Sequence, residues 1–122
     1  MKLTVVIPAH NEAAVVADTV TAIDGVLERE AISHELVVVN DNSTDGTRSV
    51  LAELQSSVSA LRPVDNPPPN GYGLAVRRGI SEARGEYVAV MMADASDDPE
   101  DLIRFFRKAE EGYDAVFGNR FA

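Results

Sequence analysis

The sequence predicts an α/β fold with a mostly parallel sheet and helices on both faces. Short, β-branched apolar runs of strand length alternate with segments whose apolar residues recur at helical spacing. The alternation runs through the chain as β-α-β-α-β-α-β-α-β, an order that right-handed crossovers close into a parallel sheet. Length and composition fit that reading. A chain of 122 residues, 45% hydrophobic and 25% charged, has the make-up of one globular domain, and residues 1–122 show no internal repeat and no composition break.

Residues 3–7 (Leu-Thr-Val-Val-Ile) form a nearly continuous apolar run, as in a strand buried on both faces. Residues 12–30 follow as a helix, with Val16, Val20, Ile23 and Leu27 in one stripe. Residues 36–39 (Leu-Val-Val-Val) are the second strand, and residues 47–57 a helix with Val50, Leu51 and Leu54 at helical spacing. A weaker third strand covers residues 60–64. The run Asn66-Pro67-Pro68-Pro69-Asn70-Gly71 can be neither helix nor central strand and is a loop. Residues 74–84 read as a helix, with Val76, Ile80 and Ala83 on one face. Residues 87–92 are the most apolar strand. Residues 99–111 form a helix with Pro99 suited to its first turn, and Gly112 stops it before a last strand over residues 113–117.

The net charge is −9, which disfavours nucleic-acid binding and an electrostatic membrane anchor. The absence of Cys removes thiolate zinc sites, thiol nucleophiles and disulfides. No stretch approaches the roughly 20 apolar residues of a membrane helix. The first apolar run stops at Pro8, too short for the core of a signal peptide.

Ligands of open parallel sheets bind beyond the carboxyl ends of the strands. Those ends carry Pro8-Ala9-His10-Asn11-Glu12, then Asn40-Asp41-Asn42-Ser43-Thr44-Asp45-Gly46-Thr47, then Ala93-Asp94-Ala95-Ser96-Asp97-Asp98, and finally Gly118-Asn119-Arg120. Asp41-x-Ser43-x-Asp45-Gly46 opens like a calcium loop, but Ala52 stands where the twelfth-position Glu belongs. Gly71-Tyr72-Gly73 lacks the third small residue of a dinucleotide fingerprint, since Val76 occupies that place. A phospho-accepting receiver domain would match the fold class and the position of Asp65, but it wants a Lys after the last strand, where this chain has Gly118-Asn119-Arg120.

The remaining reading is a nucleotide pocket that takes an anionic ligand and a divalent cation. Carboxylates and amides at the first two strand ends can bond a base and ribose. A carboxylate after the fourth can hold a hard cation, Mg²⁺ or Mn²⁺, against a diphosphate, and Arg120 can pair with a phosphate. Structural roles compete with this. Asp45 and Thr47 are placed to cap the second helix, Asp97 and Asp98 to complement a helix dipole, and His10 to serve as a pocket wall.

These same segments resemble the family 2 inverting glycosyltransferases of GT-A fold. The likeness runs through residues 5–12 and 37–47, then Gly73-Leu74-Ala75-Val76-Arg77-Arg78-Gly79, residues 83–87, residues 92–99 and Gly118-Asn119-Arg120-Phe121. It is nearest to the polyprenyl-phosphate sugar transferases. The resemblance implies a Rossmann-like nucleotide-sugar-binding half that lacks the acceptor-binding half of longer members. It implies that Pro8, His10 and Glu12 contact the base and ribose, with His10 where the family usually has Tyr. Asp41 would recognise the base, and Arg120 would lie near the phosphates. Ala9, Ser43, Gly73 and Ala93 fall in the same motifs and complete the nucleotide-binding set. Asp94 matches the second Asp of the family's metal-binding Asp-x-Asp, with Ser96 as a further oxygen ligand. Met92 replaces the first Asp, and a thioether is a poor ligand for hard cations. Asn42 replaces a common Gly.

The implied activity is transfer of a sugar, with inversion, from a UDP- or GDP-linked donor to an acceptor such as a polyprenyl phosphate. The alternative is a module that binds a nucleotide-sugar without turnover. Self-association is expected where an acceptor half would pack. The expected location is the cytoplasm, peripheral to a membrane through the acceptor or a further segment.

Overall fold

The computed structural model describes residues 1–94 and 96–112. Eight elements follow in order: β1 (Leu3–Ala9), α1 (Val16–Arg29), β2 (His34–Asn40), α2 (Thr47–Leu54), β3 (Leu61–Asp65), α3 (Tyr72–Glu82), β4 (Tyr87–Val90) and α4 (Pro99–Glu110). All strand pairings are parallel, and the sheet order is β3-β2-β1-β4. The predicted strand over residues 113–117 and the Gly118-Asn119-Arg120 segment lie outside the described residues.

Side chains alternate across each strand and so feed two cores. Leu3, Val5, Ile7, Leu36 and Val38 point to one face, where they meet Val16, Val20, Ile23 and Leu27 of α1, Leu51 of α2, and Leu102, Ile103 and Phe106 of α4. Val6, Val37 and Val39 point to the other, against Ala75 of α3. This is why residues 3–7 and 36–39 read as unbroken apolar runs. α3 sits unusually close to the sheet. A Cβ on Gly79 would lie 2.3 Å from Val6 Cγ1 and 3.1 Å from Val39 Cγ2, so only glycine admits that approach. β4 is shorter than its apolar run suggests and pairs with β1 alone among the described strands. Its Val88 is 43% exposed.

The amino-terminal edge is held by a buried ion cluster. Glu35, 4% exposed, accepts from the Thr4 hydroxyl at 2.7 Å, the Arg84 amide at 2.8 Å and Arg62 Nη2 at 3.1 Å. Arg62 also bonds Glu82 at 3.0 Å, which ties the end of α3 to β2 and β3. Burial pushes the Glu35 carboxyl up, but the bonds from Thr4, Arg84 and Arg62 outweigh it and hold the group below the ordinary glutamate range.

Candidate functional site

The sheet order brings three sequence-predicted ends together. β1 lies between β2 and β4, so the chain changes direction across the sheet at β1, and the crevice at such a switch is where open α/β sheets hold ligands. Ala9 pairs with Asn40 in register, and Met91 N–H continues the ladder to Val6 C=O beyond the end of β4.

The first two loops are stitched to each other. Asn11 adopts φ +54°, a left-handed angle that Asn tolerates. Its Oδ1 accepts from Thr44 N–H at 2.7 Å, and its own N–H donates to Ser43 Oγ at 3.0 Å. Glu12 N–H donates to Thr47 Oγ1 at 3.0 Å and Ala13 N–H to Asp45 at 3.2 Å. Residues 10–13 therefore serve as cross-links, and α1 begins at Val16 instead of residue 12. Asp45 takes the structural role: its carboxylate accepts from the Thr47 hydroxyl and from Thr47 N–H, and these bonds lower its pKa. His10 is an exposed wall whose Nδ1–H donates to Asp41 C=O at 2.6 Å.

Asp41 is the best-anchored polar group of the site, at 5% exposure. Its N–H donates to Ala9 C=O at 2.8 Å. Its carboxylate accepts from Asn66 Nδ2 at 2.8 Å and Asn42 Nδ2 at 3.3 Å on Oδ1, and from Gly71 N–H at 2.9 Å on Oδ2. Gly71 immediately precedes α3, so this one carboxylate fixes the entry to that helix and the loop over residues 66–71. Gly73 lies exposed in the first turn of α3, with open space around its Cα. Pro8 and Ala9 are buried in β1 and shape the floor through their backbone.

At the fourth strand end, Ala93 is buried and its carbonyl accepts from Thr19 Oγ1 of α1 at 2.9 Å, which fixes where the next residue emerges. That residue, Asp94, is exposed, and its Oδ1 accepts from Ser96 N–H at 3.0 Å. Asp98 caps α4 through Glu100 N–H at 2.9 Å. Asp97 corrects the sequence reading: its carboxylate turns back onto Met92 N–H at 2.9 Å and shapes the loop that presents Asp94.

The electrostatics of Glu12 link the three loops. Burial raises its pKa, the charges of Asp94 and Asp45 raise it further, and His10 opposes them. Glu12, at the first strand end, thus senses the charges of Asp45 and Asp94 at the second and fourth. Asp94 is an exposed oxygen donor of the kind a hard divalent cation takes. Among the described residues, the donor set of metal type lies elsewhere. Asp24, Glu28 and His34 bring ligand atoms within 4.8 Å of one another. His34 starts β2 and Asn40 ends it, so roughly 20 Å of strand separates that group from the predicted site. His34 is already bonded to Asp24 at 2.7 Å and to Ile32 C=O at 2.7 Å. A groove of about 690 Å³ opens at that same edge, lined in part by His34, Glu35, Arg62 and Arg84. It is not at the carboxyl edge where the sequence motifs converge.

The site is that of an α/β protein with polar, acidic loops gathered at the switch of a parallel sheet. Residues 4–122 match the profile of glycosyl transferase family 2, and the chain belongs to that family. It is 33% identical over 121 residues to a dolichol-phosphate mannosyltransferase of Pyrococcus furiosus, covering 99% of this chain and 34% of that protein. It is 28% identical over 120 residues to an uncharacterized glycosyltransferase of Bacillus subtilis, YkcC, covering 98% and 37%. Among solved structures, it is similar to a mannosyltransferase from Pyrobaculum calidifontis in complex with GDP-Man and Mn²⁺, with TM-score 0.67, 30% identity and coverage of 76% and 27%. The chain thus spans about a third of the length of the curated relatives it matches.

Of the predicted residues, Pro8, Ala9, His10, Glu12, Asp41, Ser43, Ala93, Asp94 and Ser96 lie on or beside the three carboxyl-edge loops, and Gly73 on the helix that Asp41 anchors. Arg120 lies outside the described residues. Asn11, Thr19 and Asn66 were not singled out. Their roles depend on partners 25 to 74 residues away in the chain, which no local pattern announces.

Proposed function

We propose that this chain is the donor-binding part of a glycosyltransferase that moves a sugar from a nucleoside-diphosphate sugar to an acceptor, with inversion at the anomeric carbon. The observation that carries the reading is the convergence of the carboxyl-end loops of β1, β2 and β4 at one sheet edge, where the buried Asp41 and the exposed Asp94 lie. Family membership and the GDP-Man and Mn²⁺ of the Pyrobaculum neighbour support it.

In this reading Asp41 accepts a hydrogen bond from the base, held in place by Asn66 and Gly71. Glu12 and His10 border the ribose. Asp94 and the adjacent Ser96 would hold a Mg²⁺ or Mn²⁺ ion. When bound, such an ion neutralises charge developing on the leaving diphosphate. An acceptor whose oxygen is already ionised near neutral pH, as in a polyprenyl phosphate, needs no general base. The dolichol-phosphate mannosyltransferase relative supports the same acceptor class. No described helix is long and apolar enough to cross a membrane.

The second reading is a module that binds a nucleotide-sugar without turnover. The test is incubation with UDP- and GDP-sugars, Mn²⁺ and a polyprenyl phosphate, with parallel measurement of donor binding. A lipid-linked sugar of inverted anomeric configuration supports the transferase. Donor binding with no transfer supports the binding module. Absence of donor binding overturns both.

A further inference from the structure

We propose that the pocket prefers uracil to guanine, and that Asn42 sets the preference. The inference rests on the proposed role of Asp41 as the acceptor for the base. An ionised carboxylate offers about four lone-pair sites. In Asp41 three are occupied from within the protein: Asn66 Nδ2 at 2.8 Å and Asn42 Nδ2 at 3.3 Å both donate to Oδ1, and Gly71 N–H donates to Oδ2 at 2.9 Å. One site remains, on Oδ2. The donors are themselves well held: Asn42 Nδ2 also bonds Asn66 C=O at 3.1 Å, and Gly71 N–H belongs to the backbone leading into α3.

The two bases ask different things of a carboxylate. Guanine presents adjacent donors, N1–H and the exocyclic amino group, which a carboxylate satisfies through both oxygens at once. Uracil presents a single donor, N3–H, between two carbonyls, and one lone pair suffices. Guanine here would meet an Oδ1 already taken by two amides. It would leave one N–H unpaired or displace Asn42, and an unpaired buried donor costs on the order of tenfold in affinity. Asn42 is the removable obstacle because its bond to Oδ1 is the longest of the three. Its backbone stands at φ +56°, where glycine is at least as comfortable, so its side chain can be deleted without straining the loop. The preference departs from the guanosine donor of the Pyrobaculum neighbour.

The test is calorimetric titration of UDP, GDP and inosine diphosphate, each with Mn²⁺, into the chain and into Asn42→Gly. Inosine diphosphate keeps N1–H but lacks the exocyclic amino group, so it asks for one acceptor, as UDP does. The expected result is UDP binding about tenfold more tightly than GDP, inosine diphosphate binding more tightly than GDP, and a UDP-to-GDP ratio at least about threefold smaller in Asn42→Gly. GDP binding as tightly as UDP, or inosine diphosphate no better than GDP, would overturn the preference and leave the proposed function standing. An unchanged ratio in folded Asn42→Gly would overturn the role of Asn42. Binding of none of the three nucleotides would overturn the proposed function, and the preference with it.

Discussion

The sequence resemblance marks Asp41 as a ligand group, yet its carboxylate holds three protein donors, so its replacement must cost stability as well as binding. Asp41→Asn keeps the shape and removes one acceptor oxygen. If the amide oxygen faces Asn66 and Asn42, the new NH₂ group faces Gly71 N–H, donor against donor, at the entry to α3. In the other orientation both side-chain amides lose their acceptor. At 5% exposure water does not readily replace the lost bonds. One unsatisfied buried donor costs about 1–3 kcal/mol, and for a domain of this size that lowers the melting temperature by roughly 4–12 °C. Urea unfolding followed by far-UV circular dichroism measures the change, with the m-value expected to hold. Because α3 also supplies Gly73, nucleotide affinity should fall in the folded variant too. A stability change within about 0.5 kcal/mol, the range of an ordinary surface substitution, would refute the anchoring role.

Three further outcomes are expected. Gly79→Ala should destabilise by about 1–3 kcal/mol in urea despite the better helix propensity of Ala, because its Cβ would meet Val6 Cγ1 at 2.3 Å inside the closed α3–sheet seam. Glu35, held below its ordinary pKa, contributes stability that is complete above the unfolded value, roughly 4.3, and lost as pH falls through the lower folded value; Glu35→Gln should flatten that acid limb in urea midpoints measured between pH 7 and pH 3. Asp94→Asn should abolish the Mn²⁺ enhancement of nucleoside-diphosphate binding in calorimetry, whereas Asp97→Asn should weaken binding by loosening Met92 N–H yet keep the Mn²⁺ dependence.

Much of the fold was legible because its signals are local. Strands buried on both faces need continuous apolar runs, and helices that cover a sheet need a stripe, so Val5-Val6-Ile7 and Val16, Val20, Ile23, Leu27 declare their elements directly. The convergence of polar loops followed from the parallel order. Three things were not legible. The start of α1 shifts to Val16 because Asn11 and Glu12 bond the second loop, and such pairing has no sequence period. Asp97 looked like a helix-start residue because composition alone does not show which way a carboxylate turns. The Thr4–Glu35–Arg62 cluster draws on three strands and reads in each as an ordinary polar position.

The central claim is that a nucleoside diphosphate binds at the carboxyl edge of the sheet. Amide chemical-shift mapping of the ¹⁵N-labelled chain during titration with UDP and Mn²⁺ tests it most directly. The account predicts saturable shifts at His10–Glu12, Asp41–Ser43, Gly71–Gly73 and Asp94. Shifts confined to the opposite groove, at His34, Glu35, Arg62 and Arg84, would contradict it.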